Sequence, residues 1–336
     1  MSEYLPRTVA FTRSAVNLFF HLLTGCNLKC RHCYINPAQH GSAMLPLATI
    51  RTWLDAFRTK AAVTNLVLLG GEPTLHPDLA DVVRSARAMG FQSITVDTNG
   101  YLFHDFLERI APAELDYLSF SLDGSTPAIN DPLRGPGSHA ACVSGIQRAV
   151  ARGFATSLIY TVRQANIDDL PHLAPLLVQL GVTRLFIQVI GIRGSAADGG
   201  AAAGQITREQ WLAVVPAAAA AAAAQGLTVT YPKVFLGVDE SFACAGQVAE
   251  NYFVFPNGRV YRCPLCEDYP LHSLRFEGER LTQSPAINET DLFQLTIPEG
   301  CVMNRLIQPG NLRYDTDGRP EYRIACCLLK EEFGPG

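Results

Sequence analysis

Cys26, Cys30 and Cys33 stand within eight residues, in the run Gly25-Cys26-Asn27-Leu28-Lys29-Cys30-Arg31-His32-Cys33-Tyr34. Thiolates at this density make a nest for soft metal. Three is one short of the four that close a tetrahedral zinc or a four-iron cluster, and a site with an open position does chemistry. Asn27, Lys29 and Arg31 interleave the cysteines, so the segment reads as a polar loop. A structural zinc there needs a fourth ligand, and His32 is the local one.

Six more of the ten cysteines lie near the end: Cys244, Cys263, Cys266, Cys301, Cys326 and Cys327. Asn257-Gly258, between the β-rich runs Tyr252–Phe255 and Arg259–Arg262, signals a hairpin with a type I′ turn. A hairpin returns the chain to its start, so Cys244 and Cys263 can meet. A sulfur-only site there suits iron–sulfur or zinc. Cys142, among Ala140, Ala141 and Val143, reads as a buried inert thiol.

Other polar motifs follow apolar runs. In Gly70-Gly71-Glu72-Pro73 the glycines let backbone approach a ligand closely, and Glu72 is an acceptor for an ammonium group or the exposed acid of a tight turn. Asp97-Thr98-Asn99-Gly100 carries an Asn-Gly turn, and Ser119-Phe120-Ser121-Leu122-Asp123-Gly124 alternates before a turn aspartate.

The elements that must position these residues are legible. Strands are expected at Val16–Leu23, Asn65–Leu69, Ser93–Asp97, Tyr117–Leu122, Ser157–Val162 and Leu185–Ile190, most of them apolar on both faces. Helices are expected at Leu47–Lys60, Asp78–Met89, His104–Ile110, His139–Arg152 and Asp168–Leu180, with Asp78 opening one and Gly90, Gly153 and Gly181 closing three. Six such units in order mean a parallel sheet, open or barrel-like, with its site at the C-terminal strand ends. Gly191–Gly204 reads as a loop or linker. Thr207 and Gln210 open a bridging helix that Pro216 should kink and that contains Ala217–Ala224.

The cysteine triplet resembles the C-x3-C-x-aromatic-C signature of the radical S-adenosylmethionine (SAM) superfamily, with His32 in the aromatic position. The resemblance implies a [4Fe-4S] cluster on Cys26, Cys30 and Cys33, SAM chelated to its open iron, and cleavage to a 5′-deoxyadenosyl radical that abstracts a substrate hydrogen atom. It implies SAM-amino binding by the Gly70-Gly71-Glu72 motif, a SAM pocket lined by Thr98 and Asn99, Ser121 near the SAM carboxylate or ribose, and Asp123 facing the pocket or substrate. Arg163 would pair with the SAM carboxylate, and Gln188 would face adenine or ribose. The tail's C-x13-G-x4-C, through Gly258, resembles the opening of the SPASM and twitch extensions, which bind auxiliary iron–sulfur clusters. A full SPASM pattern continues with more cysteines than remain here. The resemblance therefore implies one auxiliary [4Fe-4S] cluster on Cys244, Cys263, Cys301 and one of Cys326 or Cys327, with Cys266 as a competing ligand.

The expected fold is α/β: a partial (β/α)6 TIM-like barrel over 12–195, a linker and bridging helix over 196–234, and a small α+β SPASM/twitch domain over 235–336. The expected function is radical modification of a peptide, or oxidation or rearrangement of a small molecule, with a low-potential donor such as flavodoxin or ferredoxin. An electron-transfer or redox-sensing protein is the reading from another class, and Glu72 argues against it. With about 15 residues before the first strand, no leader-peptide-binding domain is expected ahead of the barrel. Tyr160, Arg193 and the spare tail cysteine are the remaining candidates for a catalytic group. The net charge of −4 offers no basis for a nucleic-acid or membrane partner. The apolar run Val16–Leu23, broken by Asn17 and His21, is too short to span a bilayer. Cytoplasm is the expected compartment, where ten cysteines need a reason other than disulfides.

Overall fold

The computed structural model describes residues 5–58, 63–198, 204–267, 269, 272–306 and 310–334. Its strands in chain order are β1 (Arg7–Val9), β2 (Ala15–His21), β3 (Val63–Leu69), β4 (Ser93–Thr98), β5 (Tyr117–Ser121), β6 (Thr156–Val162), β7 (Arg184–Val189), β8 (Thr228–Pro232), β9 (Phe235–Leu236), β10 (Glu250–Val254), β11 (Arg259–Tyr261), β12 (Leu274–Glu277), β13 (Arg280–Gln283), β14 (Arg323–Ile324) and β15 (Lys330–Phe333). The sheet runs β1-β15-β8-β7-β6-β5-β4-β3-β2-β10-β11-β12-β13. From β8 through β2 to β10 every neighbour is parallel, the α/β partial-barrel arrangement. The six expected strands are β2 to β7.

Two further parallel strands extend that run. The helix Arg208–Ala223 returns the chain to β8, which pairs with β7 as Arg184↔Thr228 to Phe186↔Thr230. The tail then lays β10 on the opposite edge, Glu250↔Val16 to Val254↔Phe20. β8 and β10 thus cover the two edges that a six-strand sheet would leave open, and β15 pairs antiparallel with β8 and with β1.

The parallel strands are apolar on one face. Val16, Leu18, Phe20, Leu66, Leu68, Ile94, Val96, Leu118 and Phe120 are buried under the helices. The other face carries Asn17, Asn65, Thr95, Asp97, Ser119, Ser121, Ser157, Thr161 and Gln188. The expectation of two apolar faces fails because the inner face of a partial barrel looks onto an open interior. Polar residues there satisfy one another: Asn17 Nδ2 donates to Asn251 Oδ1 (3.0 Å), and Asn65 Nδ2 to Asn17 Oδ1 (2.9 Å).

Helix ends follow local chemistry. Thr207 and Gln210 form the expected capping box (2.9 and 3.2 Å), and the helix runs Arg208–Ala223 as one element through Pro216. Its alanines Ala218, Ala219, Ala222 and Ala223 are buried, which lets it pack closely on the helix Leu170–Leu180 and on β8. Asp78 makes no side-chain cap bond to the helix Leu79–Ala88. The expected helix at 104–110 is a 3-10 turn, Phe103–Asp105, then Phe106–Arg109, because Leu102, His104 and Asp105 take positive φ. The first of the expected helices covers Leu47–Arg58; positions 59 and 60 of its expected span, and 199–203 of the expected loop, lie outside the described residues. Asn257-Gly258 is not a type I′ turn. Gly258 alone has positive φ (84°), and Phe255 N–H donates to Arg259 O (3.0 Å) around a three-residue loop whose Pro256 is locked at negative φ. Among the described residues no helix is long and apolar enough to cross a membrane.

The close packing of the alanine helix is testable. Ala219→Leu should cost about 1–3 kcal/mol by urea unfolding, from overpacking. Ala217→Leu, on the exposed side, should stay within about 0.5 kcal/mol of wild type.

Candidate functional site

The turn after β3 lies directly on the loop after β2. Gly71 N–H donates to Leu23 O (3.0 Å), and Glu72 N–H donates to Gly25 O (3.0 Å). A Cβ on Gly71 would stand 2.1 Å from Gly25 O, and one on Gly70 would stand 2.9 Å from Leu23 O. The two glycines thus admit the cysteine loop's backbone, and Gly71 also borders a cavity. Glu72 is buried (1% exposed). Its Oε1 accepts from Thr74 N (3.1 Å), Thr74 Oγ1 (2.6 Å) and Thr98 Oγ1 (2.8 Å), and its Oε2 from Asn99 N (2.7 Å). Burial raises its pKa, and these donors partly offset the rise. Asn99 Nδ2 donates onward to Asn27 Oδ1 (2.7 Å), beside Cys26. One carboxylate therefore ties the ends of β3 and β4 to the cysteine loop.

Cys26, Cys30 and Cys33 all line one cavity of about 590 Å3, with Gly71, Arg163 and Ser195 among its walls. Cys26 is exposed, while burial raises the thiols of Cys30 and Cys33. Among the described residues no three His, Cys, Asp or Glu side chains meet closely enough to hold one metal ion. A four-iron cluster gives each thiolate its own iron and asks for no such convergence. Three soft donors around a roomy cavity fit that group in kind. Arg163 is 9% exposed, and burial lowers its pKa.

Asp123, which the resemblance places toward the pocket or substrate, is not among the residues lining this cavity. It is fully buried, with Oδ2 2.6 Å from Arg134 Nε and 3.1 Å from His32 Nε2, while Thr161 N–H donates to Oδ1 (2.8 Å). Burial alone would raise its pKa, but Arg134 and then His32 carry it well below the usual carboxylate range. Ser121 is half-buried on the inner face, and its carbonyl accepts the Cys142 thiol (3.6 Å). Cys142 is buried and pushed up to about 12 by that burial, an inert thiol as expected. Gln188 is exposed on the inner face.

Five tail cysteines, Cys244, Cys263, Cys301, Cys326 and Cys327, line one apolar hollow with about 20 Å3 of free space, walled by Phe242, Phe293 and Met303. Cys266 is fully buried, stays a free thiol hydrogen-bonded with that of Cys263, and does not line the hollow. The Cys326 thiol is drawn below the usual thiol range, first by a hydrogen bond from the Cys327 thiol. Lys330 lies beside this nest, its Nζ donating to Cys327 O (3.1 Å).

A packed bridge joins the two nests, and sequence reasoning missed all of it except Arg193. His21 Nδ1–H donates to Val254 O (2.9 Å), and its Nε2 accepts from Tyr34 Oη (2.7 Å). The Phe255 ring lies between His21 and His40, at 3.8 and 3.9 Å. Asn36 N–H donates to His40 Nδ1 (3.0 Å), and His40 Nε2 lies 3.3 Å from Glu267 Oε2. Arg193 pairs with Glu267, donates to Pro264 O and covers the Tyr34 ring (4.9 Å). It thus ties Tyr34 to Glu267 and Pro264. Tyr160 is buried, its Oη donating to Asn166 O (2.7 Å). The adjacency of Tyr34 to Cys33 and of Glu267 to Cys266 was the available signal.

The profile of the radical SAM superfamily matches residues 21–177. A PqqA peptide cyclase from Ruegeria pomeroyi is 29% identical over 272 residues, covering 77% of this chain and 70% of the relative. A pre-heme d1 synthase from Dinoroseobacter shibae is 33% identical over 186 residues, covering 54% of this chain and 45% of that relative. The structure of Streptococcus suis SuiB bound to S-adenosylmethionine superposes with a TM-score of 0.63 at 13% identity, over 88% of this chain and 72% of SuiB, which shows the same fold.

Gly71→Ala should abolish iron loading at the first nest, read as loss of about four irons per chain on reconstitution, because its Cβ would displace Gly25. Burial holds His21, His40 and His272 down to about 3, so the unfolded chain takes up protons below about pH 6.5 that the folded chain refuses. Each histidine's stabilising share is full above that pH and is lost as pH falls toward 3. Urea unfolding should show His40→Gln losing less stability than wild type between about pH 7.5 and 5.5.

Proposed function

We propose, for a chain whose residues 21–177 belong to the radical SAM superfamily, that it cleaves SAM reductively at Cys26, Cys30 and Cys33 and uses the product to modify a peptide. The observation that carries the reading is the convergence of those three thiols, Gly71 and Arg163 on one cavity beside the ends of β2, β3 and β6. The three cysteines would hold the cluster. When bound, the cluster supplies the electron that breaks a SAM carbon–sulfur bond, and the 5′-deoxyadenosyl radical so released removes a substrate hydrogen atom.

The chain's own groups orient that chemistry. Arg163 offers a cation to the SAM carboxylate. Gly71 brings backbone to the cavity wall, and Glu72 with Thr98 fixes Asn99 against the cysteine loop. Ser121 and Gln188 supply polar contacts on the inner face. Cys244, Cys263, Cys301 and one of Cys326 or Cys327 would hold a second cluster, which would take an electron from the substrate or bind it. A low-potential flavodoxin or ferredoxin would reduce the first.

The peptide reading is supported by the relative named as a peptide cyclase, which this chain matches over 70% of that relative's length. A small-molecule reading rests on the pre-heme d1 synthase, at higher identity over a shorter stretch.

Anaerobically reconstituted protein with SAM and a low-potential reductant should form 5′-deoxyadenosine, and Cys30→Ala should form none. No 5′-deoxyadenosine from the wild type would overturn the reading. Wild type should carry about eight irons per chain and Cys301→Ala about four. A wild-type count near four would remove the second cluster.

A further inference from the structure

Asp123, Arg134 and His32 form a buried charged group against the first cysteine nest. Asp123 Oδ2 lies 2.6 Å from Arg134 Nε and 3.1 Å from His32 Nε2. His32 stands between Cys30 and Cys33, so the carboxylate fixes the cysteine loop through its ring. The segment that carries Arg134 is pinned to the same loop. Arg31 N–H donates to Leu133 O (2.9 Å), and the Cys30 thiol points at Arg134 O (3.9 Å). Asp123 is held in turn by Thr161 N–H (2.8 Å) and, at its own N–H, by Asn130 Oδ1 (2.9 Å).

We propose that Arg134, held by Asp123, is a fixed positive charge that sets the reduction potential of the cluster on Cys26, Cys30 and Cys33. Taking up an electron makes a cluster more negative, so a nearby buried cation stabilises the reduced form and raises the potential. Low dielectric strengthens the effect, since little water screens a charge that is 7% exposed. Asp123 offsets part of that cation. Arg134 and Asp123 are therefore positioning residues that act on the cluster with opposite sign.

The inference rests on the proposed cluster, and the experiment separates the two. Potentiometric titration of the reconstituted protein is followed by the electron paramagnetic resonance of the reduced cluster that SAM perturbs. Asp123→Asn, which keeps the shape and removes the negative charge, should shift the potential up. Arg134→Met should shift it down, and Arg134→Lys should remain nearer wild type than Arg134→Met. Shifts of one sign in Asp123→Asn and Arg134→Met, or equal shifts in Arg134→Lys and Arg134→Met, would overturn the charge assignment and leave a purely structural role. Loss of the cluster from both Asp123→Asn and Arg134→Lys would overturn it too, because each keeps the shape or the charge. A wild type with no SAM-responsive cluster would instead refute the proposed function.

Discussion

The site depends on one close approach: the backbone of Gly70-Gly71-Glu72 resting on that of Leu23-Thr24-Gly25. Two hydrogen bonds of 3.0 Å make the contact, and no side chain fits at residue 71. The Glu72 carboxylate then carries the constraint sideways to Thr98 and Asn99 and back to Asn27. A flexible polar loop holding three thiols would otherwise have no reason to present them to one cavity. The burial that makes Glu72 costly as an anion is offset by the same donors that make it a rigid tie.

The tail does more than add a second group of thiols. β10 and β15 complete both edges of the parallel run. Phe255, directly after β10, is clasped between His21 and His40, and Arg193 joins Tyr34 to Glu267. Tyr34 follows Cys33, and Pro264, whose carbonyl accepts from Arg193, follows Cys263, so the two nests are braced by one packed wall of aromatic and charged side chains. A buried ion pair is a weak source of stability in itself. Here it sets geometry, because Arg193 touches partners from both nests.

Strong local signals made β2 to β7 legible: apolar runs of strand length separated by helical periodicity. The same signals misjudged the inner face. Alternation such as Ser119-Phe120-Ser121 means a buried face and a polar face, and only the partial closure of the sheet decides that the polar face looks inward. β8, and the parallel pairing of β10 with β2, were hidden because such pairing is a long-range event that leaves no local mark; β10 itself was legible only as an arm of the hairpin, Tyr252–Phe255. At the site, residue types located the thiols, Glu72 and Arg163. Partners were beyond reach: Asp123 looked like a ligand-facing turn residue, and its true neighbours, His32 and Arg134, come from 91 positions before and 11 after. The hairpin turn was misjudged because Asn-Gly was read without weighing Pro256.

On the proposed function, a cluster on Cys26, Cys30 and Cys33 would have one iron without a protein ligand, which SAM would chelate. Electron–nuclear double resonance on the reduced protein, with SAM labelled at its amino nitrogen and at its carboxylate oxygens, tests this directly. Hyperfine coupling of the cluster to both labels is the predicted result. An intact cluster with SAM bound to the protein and no coupling to either label would contradict it.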